Sequence, residues 1–417
     1  MSEPPPDPAP RRALDGVRVL DLSRVLAGPW ATQLLADLGA DVIKVEHPRG
    51  DDTRRWGPPF LDVAGDRDDL ADAAYFLAAN RNKRAIALDF SRPAGAAAVR
   101  RLAAQSDIVV ENFKVGGLAK YGLDYGSMAA LKPSLVYCSI TGFGQTGPYA
   151  ALAGYDYVIQ ALGGLLSITG APDGDPGNGP VKVGVAVADL FAGMYAGASI
   201  LAALRHAERT GEGQHLDVAL LDCQLAMLAN QATNYLVSGA APRRLGNSHP
   251  NIAPYDAFDA ADGKLIVAVG NDAQFRAFAK AIDRADLAGD PRFATNADRV
   301  ANRDALLKAL GPELAARTRG DWLKTFAALG VPAGPVNGVD EAFADPQAVA
   351  REAWITLTRP DGAACPTPLN PVKFSKTPAV AERAPPALGA DTREVLREAL
   401  SEAEIDELFV GGIAAGR

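Results

Sequence analysis

The sequence predicts an α/β protein in which helices cover a mostly parallel sheet. Short apolar segments of strand length alternate with segments whose apolar residues recur at helical spacing, and this alternation is typical of βαβ units. The first unit combines a strand over Val17–Leu22, a helix between Pro29 and Gly39, and a strand over Asp41–Glu46. Proline favours the first helical positions and glycine the residue after a helix, so both ends of this helix are marked.

The alternation continues along the chain. Further strands are predicted at Ala85–Asp89, Ile108–Glu111, Leu135–Ile140 and Leu265–Val269, and further helices at Pro93–Gln105, Ala188–Arg205, Leu220–Val237, Ala273–Ile282, Arg303–Arg317, Trp322–Leu329 and, as a pair, Thr392–Phe409. Apolar periodicity and flanking Gly or Pro residues define each of these segments.

The length and the changes in composition predict more than one domain, because 417 residues exceed the usual size of one. We expect a disordered, proline-rich tail at residues 1–12, the N-terminal part of a large domain at 13–237, a linker at 238–254, a small domain at 255–345 and a C-terminal segment at 346–417. The linker is assigned because Gly, Asn, Pro and Arg dominate it.

Composition argues against several classes of function. The 42 Lys and Arg residues are outnumbered by 50 Asp and Glu residues, giving a net charge of −8, whereas nucleic-acid-binding proteins are usually basic. No apolar run reaches membrane-spanning length, so no membrane span is expected. The three cysteines (Cys138, Cys223 and Cys365) and four histidines are scattered, which predicts neither disulfides nor a metal site and favours a cytoplasmic location.

Two groups of residues are candidates for chemistry. The turn Ser23–Pro29 lacks the GxGxxG pattern of dinucleotide sites, but a basic segment at Asn80–Arg84, with Lys114 and Lys120, is either a solvated loop or a phosphate clamp. Asp189 lies near the start of a helix among small residues, where it is either a helix cap or a carboxylate nucleophile. No GxSxG motif points to serine hydrolase chemistry.

Eight segments, in this order, resemble the motifs of family III CoA-transferases. They are Leu14–Leu22, Arg24–Pro29, Gly39–Glu46, Asn80–Arg84, Val110–Phe113, Ser139–Pro148, Ala153–Asp156 and Val187–Gly193. The resemblance covers the chain from about Leu14 to Phe409. It implies an interlaced homodimer of ring-shaped chains, with a Rossmann-like large domain to which the C-terminal segment returns and a smaller α/β domain between.

The same resemblance implies the roles of individual residues. Asp189 corresponds to the family's catalytic aspartate, which exchanges acyl groups and CoA through a mixed anhydride and an enzyme–CoA thioester. No permanently bound cofactor is implied, because the CoA thioester is itself a substrate. The implied CoA contacts are Arg24, Val25, Ala27, His47, Asn82, Lys83, Arg84, Asn112, Phe113 and Lys120.

Details of the motifs predict the substrate. The segments Gly50–Arg54 and Trp56–Phe60 are similar to those of the succinyl-CoA:glutarate type, which implies a short dicarboxylic acid as acceptor. Racemases of the same fold carry histidine where this chain has Tyr155, so a racemase is the weaker alternative. Transferases for oxalate, carnitine, malate or itaconate stay open, although Leu26 replaces a glutamine of the oxalate-using type. The residues predicted to contact the acid are Leu26, Arg54, Tyr155, Arg243, Arg244, Asn247 and His249.

Overall fold

The structure is a computed structural model that describes residues 12–61 and 72–416, so the predicted tail at 1–12 lies outside the described residues except for Arg12. The described chain forms two compact units. The first contains the described residues up to Gly163, Gly184–Met227 and the described residues from Ala350 onward; the second contains Gly164–Val183 and Leu228–Val349. The second unit thus begins earlier than the predicted linker and gains the Gly164–Val183 segment.

The described residues contain twelve strands and eighteen α-helices. The strands are β1 Arg18–Asp21, β2 Asp41–Glu46, β3 Lys83–Leu88, β4 Ile108–Glu111, β5 Val136–Thr141, β6 Gln214–Ala219, β7 Tyr255–Ala260, β8 Gly263–Ala268, β9 Ala333–Pro335, β10 Trp354–Thr358, β11 Ala364–Pro368 and β12 Ala414–Ala415. The helices are α1 Ala27–Asp37, α2 Ala74–Leu77, α3 Pro93–Ala104, α4 Tyr125–Leu131, α5 Asp156–Leu162, α6 Leu165–Ile168, α7 Val187–Thr210, α8 Leu220–Met227, α9 Ala229–Ser238, α10 Asp272–Ala281, α11 Ala285–Gly289, α12 Asn296–Ala301, α13 Arg303–Ala315, α14 Arg319–Ala328, α15 Val339–Ala344, α16 Pro346–Ala350, α17 Thr392–Arg397 and α18 Glu402–Val410.

A seven-stranded sheet organises the described part of the first unit, and it confirms the predicted α/β class. Its strand order is β12-β3-β2-β1-β4-β5-β6. All neighbouring strands are parallel except β12, which runs antiparallel to β3 at one edge. The direction of winding reverses between β1 and β4, and in such sheets ligands bind beyond the carboxyl ends of the strands at this point.

Small residues let helices α1 and α7 pack closely on this sheet. A Cβ atom added to Gly193 would lie 2.7 Å from the Ala27 carbonyl oxygen, so only glycine fits there. By length and composition α7 is the one described helix that could cross a membrane. Ala192, Ala196 and Ile200 nevertheless lie in the core of the unit, as expected for the central helix of a folded domain.

The second unit has a separate core. Strands β7, β8 and β9 form a three-stranded antiparallel sheet, and Phe275, Phe278, Trp322 and Phe326 are buried in its core. The helix predicted over Leu220–Val237 is broken after Met227, where Ala229 has a φ of 45°. The two halves of that predicted helix therefore belong to different units.

Candidate active site

The loops that follow β1 and β4 meet at the point where the sheet reverses its winding. The Asn112 side chain fastens one loop to the other: its Oδ1 accepts from the Arg24 backbone N–H (2.8 Å), and its Nδ2 donates to the Arg24 carbonyl (2.6 Å). The Phe113 backbone N–H donates to the Glu111 carboxylate at 2.7 Å. The Arg24 guanidinium carbon lies 4.7 Å from the centre of the Phe113 ring, within cation–π range.

A cavity of about 500 Å³ opens beside these loops, and we call it the larger cavity. Aromatic rings from three loops form one cluster, with Phe90 5.7 Å from Phe113 and 6.1 Å from Tyr121 between ring centres. The basic residues that line the larger cavity are Arg24, His47, Arg49, Arg55, Lys114 and Lys120. Aromatic faces together with cations suit a nucleotide that carries phosphate groups.

A smaller cavity of about 190 Å³ adjoins the larger one. Arg24, Phe113 and Lys114 line both cavities. The smaller cavity is otherwise lined mainly by apolar residues and backbone, and Asp189 is the acidic residue among its described lining. A single carboxylate therefore faces the smaller cavity, whereas Glu46, Asp51, Asp52 and Asp89 line the larger cavity together with its basic residues.

Asp189 lies in the first turn of α7 and is only partly exposed. Burial, and secondarily the negative charge of Asp156, raise its pKa from 3.8 to about 7. The Asp156 carboxylate also accepts from the Ala188 backbone N–H at 2.8 Å, so it caps the helix turn that carries Asp189. A carboxylate that is already partly removed from water has little hydration left to lose when it attacks a substrate. This environment therefore favours a role as a nucleophile. Asp156 provides the cap, although the sequence left that role open for Asp189.

Close backbone contacts shape the wall opposite α1. A Cβ atom on Gly142 would lie 2.5 Å from the Gly154 Cα, so the two glycines let their segments cross. Tyr155 follows directly, lines the smaller cavity and is 65% exposed. The predicted acid contacts Leu26 and Tyr155 are thus brought together with Asp189.

Val25 has an unusual backbone conformation next to this cavity. Its φ is 69°, which is costly for a β-branched residue. The buried Asp51 carboxylate accepts from the Val25 N–H at 3.2 Å and from Lys44 Nζ at 3.1 Å. Charge pairing with Lys44 keeps the pKa of Asp51 below its usual value against the opposing effect of burial, which is the larger single contribution. A charged acceptor therefore holds Val25 in place.

The structure separates the predicted CoA contacts into two groups. Arg24, Val25, Ala27, His47, Asn112, Phe113 and Lys120 line one or both cavities. Asn82, Lys83 and Arg84 do not: they lie at the amino end of β3, whereas the cavities lie beyond the carboxyl ends. The contact of these three residues with CoA stays a prediction.

The side chains of this second group are also already bonded. Lys83 Nζ contacts Asp21, the Pro29 carbonyl and Asn80 at 2.9–3.1 Å. Arg84 binds Asp41 and Glu398, and Asn82 bonds Asp37 and three backbone groups of the 380–383 segment. Burial lowers the pKa of Lys83 to about 8 against the opposing charge of Asp21.

Arg54, a predicted acid contact, lines neither of these two cavities. Its guanidinium is 6% exposed and donates to Glu46, to Asp72 and to the Pro386 carbonyl, at 2.6–3.2 Å. All five of its N–H groups are used, so none is left for a substrate.

Four predicted acid contacts lie in the second unit. Arg244 pairs with Asp173, and Arg243 and Asn247 are exposed. His249 Nδ1 accepts from the Asn251 N–H at 3.1 Å, and burial followed by the charge of Arg303 lowers the His249 pKa. Their role toward an acid stays a prediction.

Several cavity residues were missed at the level of sequence. Leu88–Ser91, at the carboxyl end of β3, lines the larger cavity together with Arg49 and Arg55. Tyr75 in α2 lines neither cavity, but it interacts electrostatically with Asp189: burial, then the charges of Asp189, Asp156 and Asp51, raise the pKa of Tyr75 to about 12. Its phenol thus stays protonated near the Asp189 carboxylate. The described residues hold no cluster of side chains suited to a metal ion.

Comparison with known proteins identifies the family of this chain. The family model described as CoA-transferase family III matches residues 14–392. The chain belongs to CoA-transferase family III. This transferase is 54% identical over 386 residues, 92% of its length and 95% of the relative's, to the succinate–glutarate CoA-transferase of Agrobacterium fabrum.

Two further comparisons agree. The transferase is 41% identical over 405 residues (96% of its length, 90% of the relative's) to the human succinyl-CoA:glutarate CoA-transferase. It is also similar to a crystal structure of a CAIB/BAIF family protein from Brucella suis, with 51% identity and a TM-score of 0.82, covering 93% of this chain and all of that one.

The raised pKa of Asp189 predicts the pH dependence of the transferase. If the Asp189 carboxylate must be ionised to react, kcat/KM falls about tenfold per pH unit below about 7. In Asp156→Asn the Oδ1 atom still accepts from Ala188, but the neighbouring charge is gone, so the acidic limb moves to lower pH. The measurement is a pH–rate profile beside Asp222→Asn, an exposed carboxylate on α8. A limb that stays in place in Asp156→Asn contradicts the assignment.

Proposed function

We propose that this family III CoA-transferase moves CoA from succinyl-CoA to glutarate. The observation that carries the proposal is the partly buried Asp189 carboxylate, which faces a small cavity joined to a larger basic and aromatic one. The names of the two glutarate CoA-transferases at 54% and 41% identity support the choice of acids.

In the proposed mechanism Asp189 attacks the thioester carbonyl of succinyl-CoA. The C–S bond breaks, giving a succinyl–aspartyl anhydride and CoA thiolate. The thiolate then attacks the aspartyl carbonyl, releasing succinate and leaving CoA bound to Asp189 as a thioester. Glutarate attacks this thioester and forms a second anhydride, from which the thiolate takes the glutaryl group. Asp189 is regenerated, and no hydrolysis of ATP is needed to balance the exchange.

The two cavities fit the two ends of an acyl-CoA. The nucleotide would lie in the larger cavity, where Arg49, Arg55 and Lys120 supply positive charge. The thioester would lie in the smaller cavity against Asp189 and the backbone of Val25–Ala27. Apolar lining there limits access of water to the anhydride, which would otherwise hydrolyse.

The remaining expectations from the family resemblance are part of the proposal. The strand order β3-β2-β1-β4-β5-β6 is the one common in doubly wound nucleotide-binding sheets, which supports a Rossmann-like large domain. An interlaced homodimer, a cytoplasmic location and the absence of nucleic-acid and membrane partners are proposed on the resemblance. A racemase remains the weaker alternative, because Tyr155 stands where a second base would be.

The test follows CoA esters by mass spectrometry. Succinyl-CoA is incubated with a pool of glutarate, oxalate, malate, itaconate and carnitine, and we expect glutaryl-CoA as the main new ester. A different ester in the absence of glutaryl-CoA would overturn the choice of acceptor. If no ester forms, α-deuterium exchange into a branched acyl-CoA tests the racemase alternative.

A further inference from the structure

The smaller cavity poses a problem of charge for a dicarboxylic acid. One carboxylate of the acid reacts with the aspartyl group at Asp189, and the other enters a largely apolar space. A carboxylate removed from water needs a cation or several hydrogen-bond donors. Arg54, which the sequence favoured for this purpose, is committed to Glu46, Asp72 and Pro386.

Arg24 and Lys114 are the two basic residues in the described lining of the smaller cavity. Neither forms an ion pair with an acidic residue in the part of the chain that the structure describes. Both also line the larger cavity, but that cavity has His47, Arg49, Arg55 and Lys120 in addition. The phosphates of CoA therefore do not depend on Arg24 alone.

Arg24 is fixed in place more firmly than Lys114. Both polar groups of its backbone are bonded to the Asn112 side chain, at 2.8 and 2.6 Å. Its guanidinium is stacked against Phe113, whose own backbone is bonded to buried Glu111. A guanidinium held in this way loses little rotational freedom on binding, and its planar N–H groups match the two oxygens of a carboxylate.

We propose that Arg24 determines acceptor specificity by binding the second carboxylate of the acid, and this inference rests on the proposed function. Arg24 would contact the acid in both directions of the exchange, because succinyl-CoA and glutaryl-CoA each keep one free carboxylate. Monocarboxylic acids lack this contact, and water solvates the exposed Arg24 guanidinium instead.

The test compares glutarate with pentanoate, a monocarboxylic acid of equal chain length. In Arg24→Gln we expect the ratio of kcat/KM for glutarate to that for pentanoate to fall about 10–100-fold, the range for losing a charge-assisted hydrogen bond. Arg24→Lys recovers part of the ratio, because it keeps the charge without the planar donor pair. Circular dichroism and the Kd for CoA, from calorimetry, accompany each variant.

Lys120→Gln is the matched comparison, because Lys120 lines the larger cavity and not the smaller one. We expect it to raise the Kd for CoA and to leave the ratio of the two acids unchanged. If Arg24→Gln instead behaves like Lys120→Gln, Arg24 binds a phosphate of CoA and the inference is overturned.

Failure of the proposed function gives a different pattern. If the wild-type protein makes no glutaryl-CoA, the same variants are assayed for incorporation of labelled succinate into succinyl-CoA. Butyrate then serves as the monocarboxylic acid for comparison. Loss of selectivity for succinate over butyrate in Arg24→Gln then supports the inference although glutarate is wrong. An unchanged ratio overturns it.

Discussion

Replacing Asp189 with asparagine is expected to lower CoA transfer by at least about 10⁴-fold, because the variant lacks the carboxylate that attacks succinyl-CoA and that carries every covalent intermediate. The side chain keeps its size, so the small cavity and the first turn of α7 are preserved. The measurement is the initial rate of glutaryl-CoA formation. Glu208→Gln is the control, because it changes an exposed carboxylate near the other end of the same helix. Transfer that survives in Asp189→Asn at more than a few per cent contradicts the assignment.

The same substitution, Asp189→Asn, is expected to lower activity but to raise the stability of the fold above neutral pH. The folded-state pKa of Asp189, about 7, lies above the reference value of 3.8, so the folded state holds the proton more tightly. Stability is therefore lost as pH rises from about 4 to 7, and ionised Asp189 destabilises the fold above that range. We expect Asp189→Asn to gain about 1–3 kcal/mol in unfolding free energy at pH 8, reduced for partial solvent access, and little at pH 4. An equal gain at both pH values contradicts the assignment.

Trapping experiments examine the intermediate itself. Borohydride added during turnover reduces an aspartyl thioester to an alcohol, so mass spectrometry of the peptide with Asp189 would show loss of one oxygen and gain of two hydrogens. The modification requires succinyl-CoA and is absent when CoA alone is supplied. Unmodified peptide under full turnover would contradict a covalent aspartyl thioester.

The sequence predicted the central sheet well. Strands β2 and β4 match the predicted residues at both ends, because each is a buried apolar run between turn residues. The break in the predicted Leu220–Val237 helix was not predictable, because the chain there continues with good helix formers. The break lies at the boundary between the two units. Local propensity carries no information about which unit a residue joins.

The structure brings Asp189 together with the turn after β1, but the sequence did not show which basic side chains already have acidic partners. Asp189 and the turn after β1 meet in one cavity because α1 and α7 pack against each other. The basic run Asn82–Arg84 was attractive for phosphate, yet it lies at the amino end of β3, and its partners Asp21, Asp41 and Glu398 are remote in sequence. Ligands bind beyond the carboxyl ends of parallel strands, and this rule points to Leu88–Ser91 instead.

Replacing Arg54 with methionine is expected to destabilise the first unit by about 3–5 kcal/mol, because it leaves buried carboxylates without their partner. Arg54 joins Glu46 of β2 to Asp72 and to the Pro386 carbonyl, and its guanidinium carbon lies 3.6 Å from the centre of the Phe76 ring. Methionine fills much of the space but compensates neither acid, although Asp72 keeps its second partner, Arg359. Glu46 also accepts from the Asp51 N–H, so the loop next to the larger cavity is loosened.

Urea unfolding with hydrogen exchange of β2 and β3 measures this effect separately from the second unit. Arg101→Ala is the matched comparison: the Arg101–Glu404 pair is about half exposed, so its loss is expected to change the unfolding free energy little. If Arg54 were instead a substrate contact, Arg54→Met would raise the KM for the acid and leave the unfolding free energy near that of Arg101→Ala. A large loss of stability together with an unchanged preference among acids is the result expected from five donors that already have acceptors.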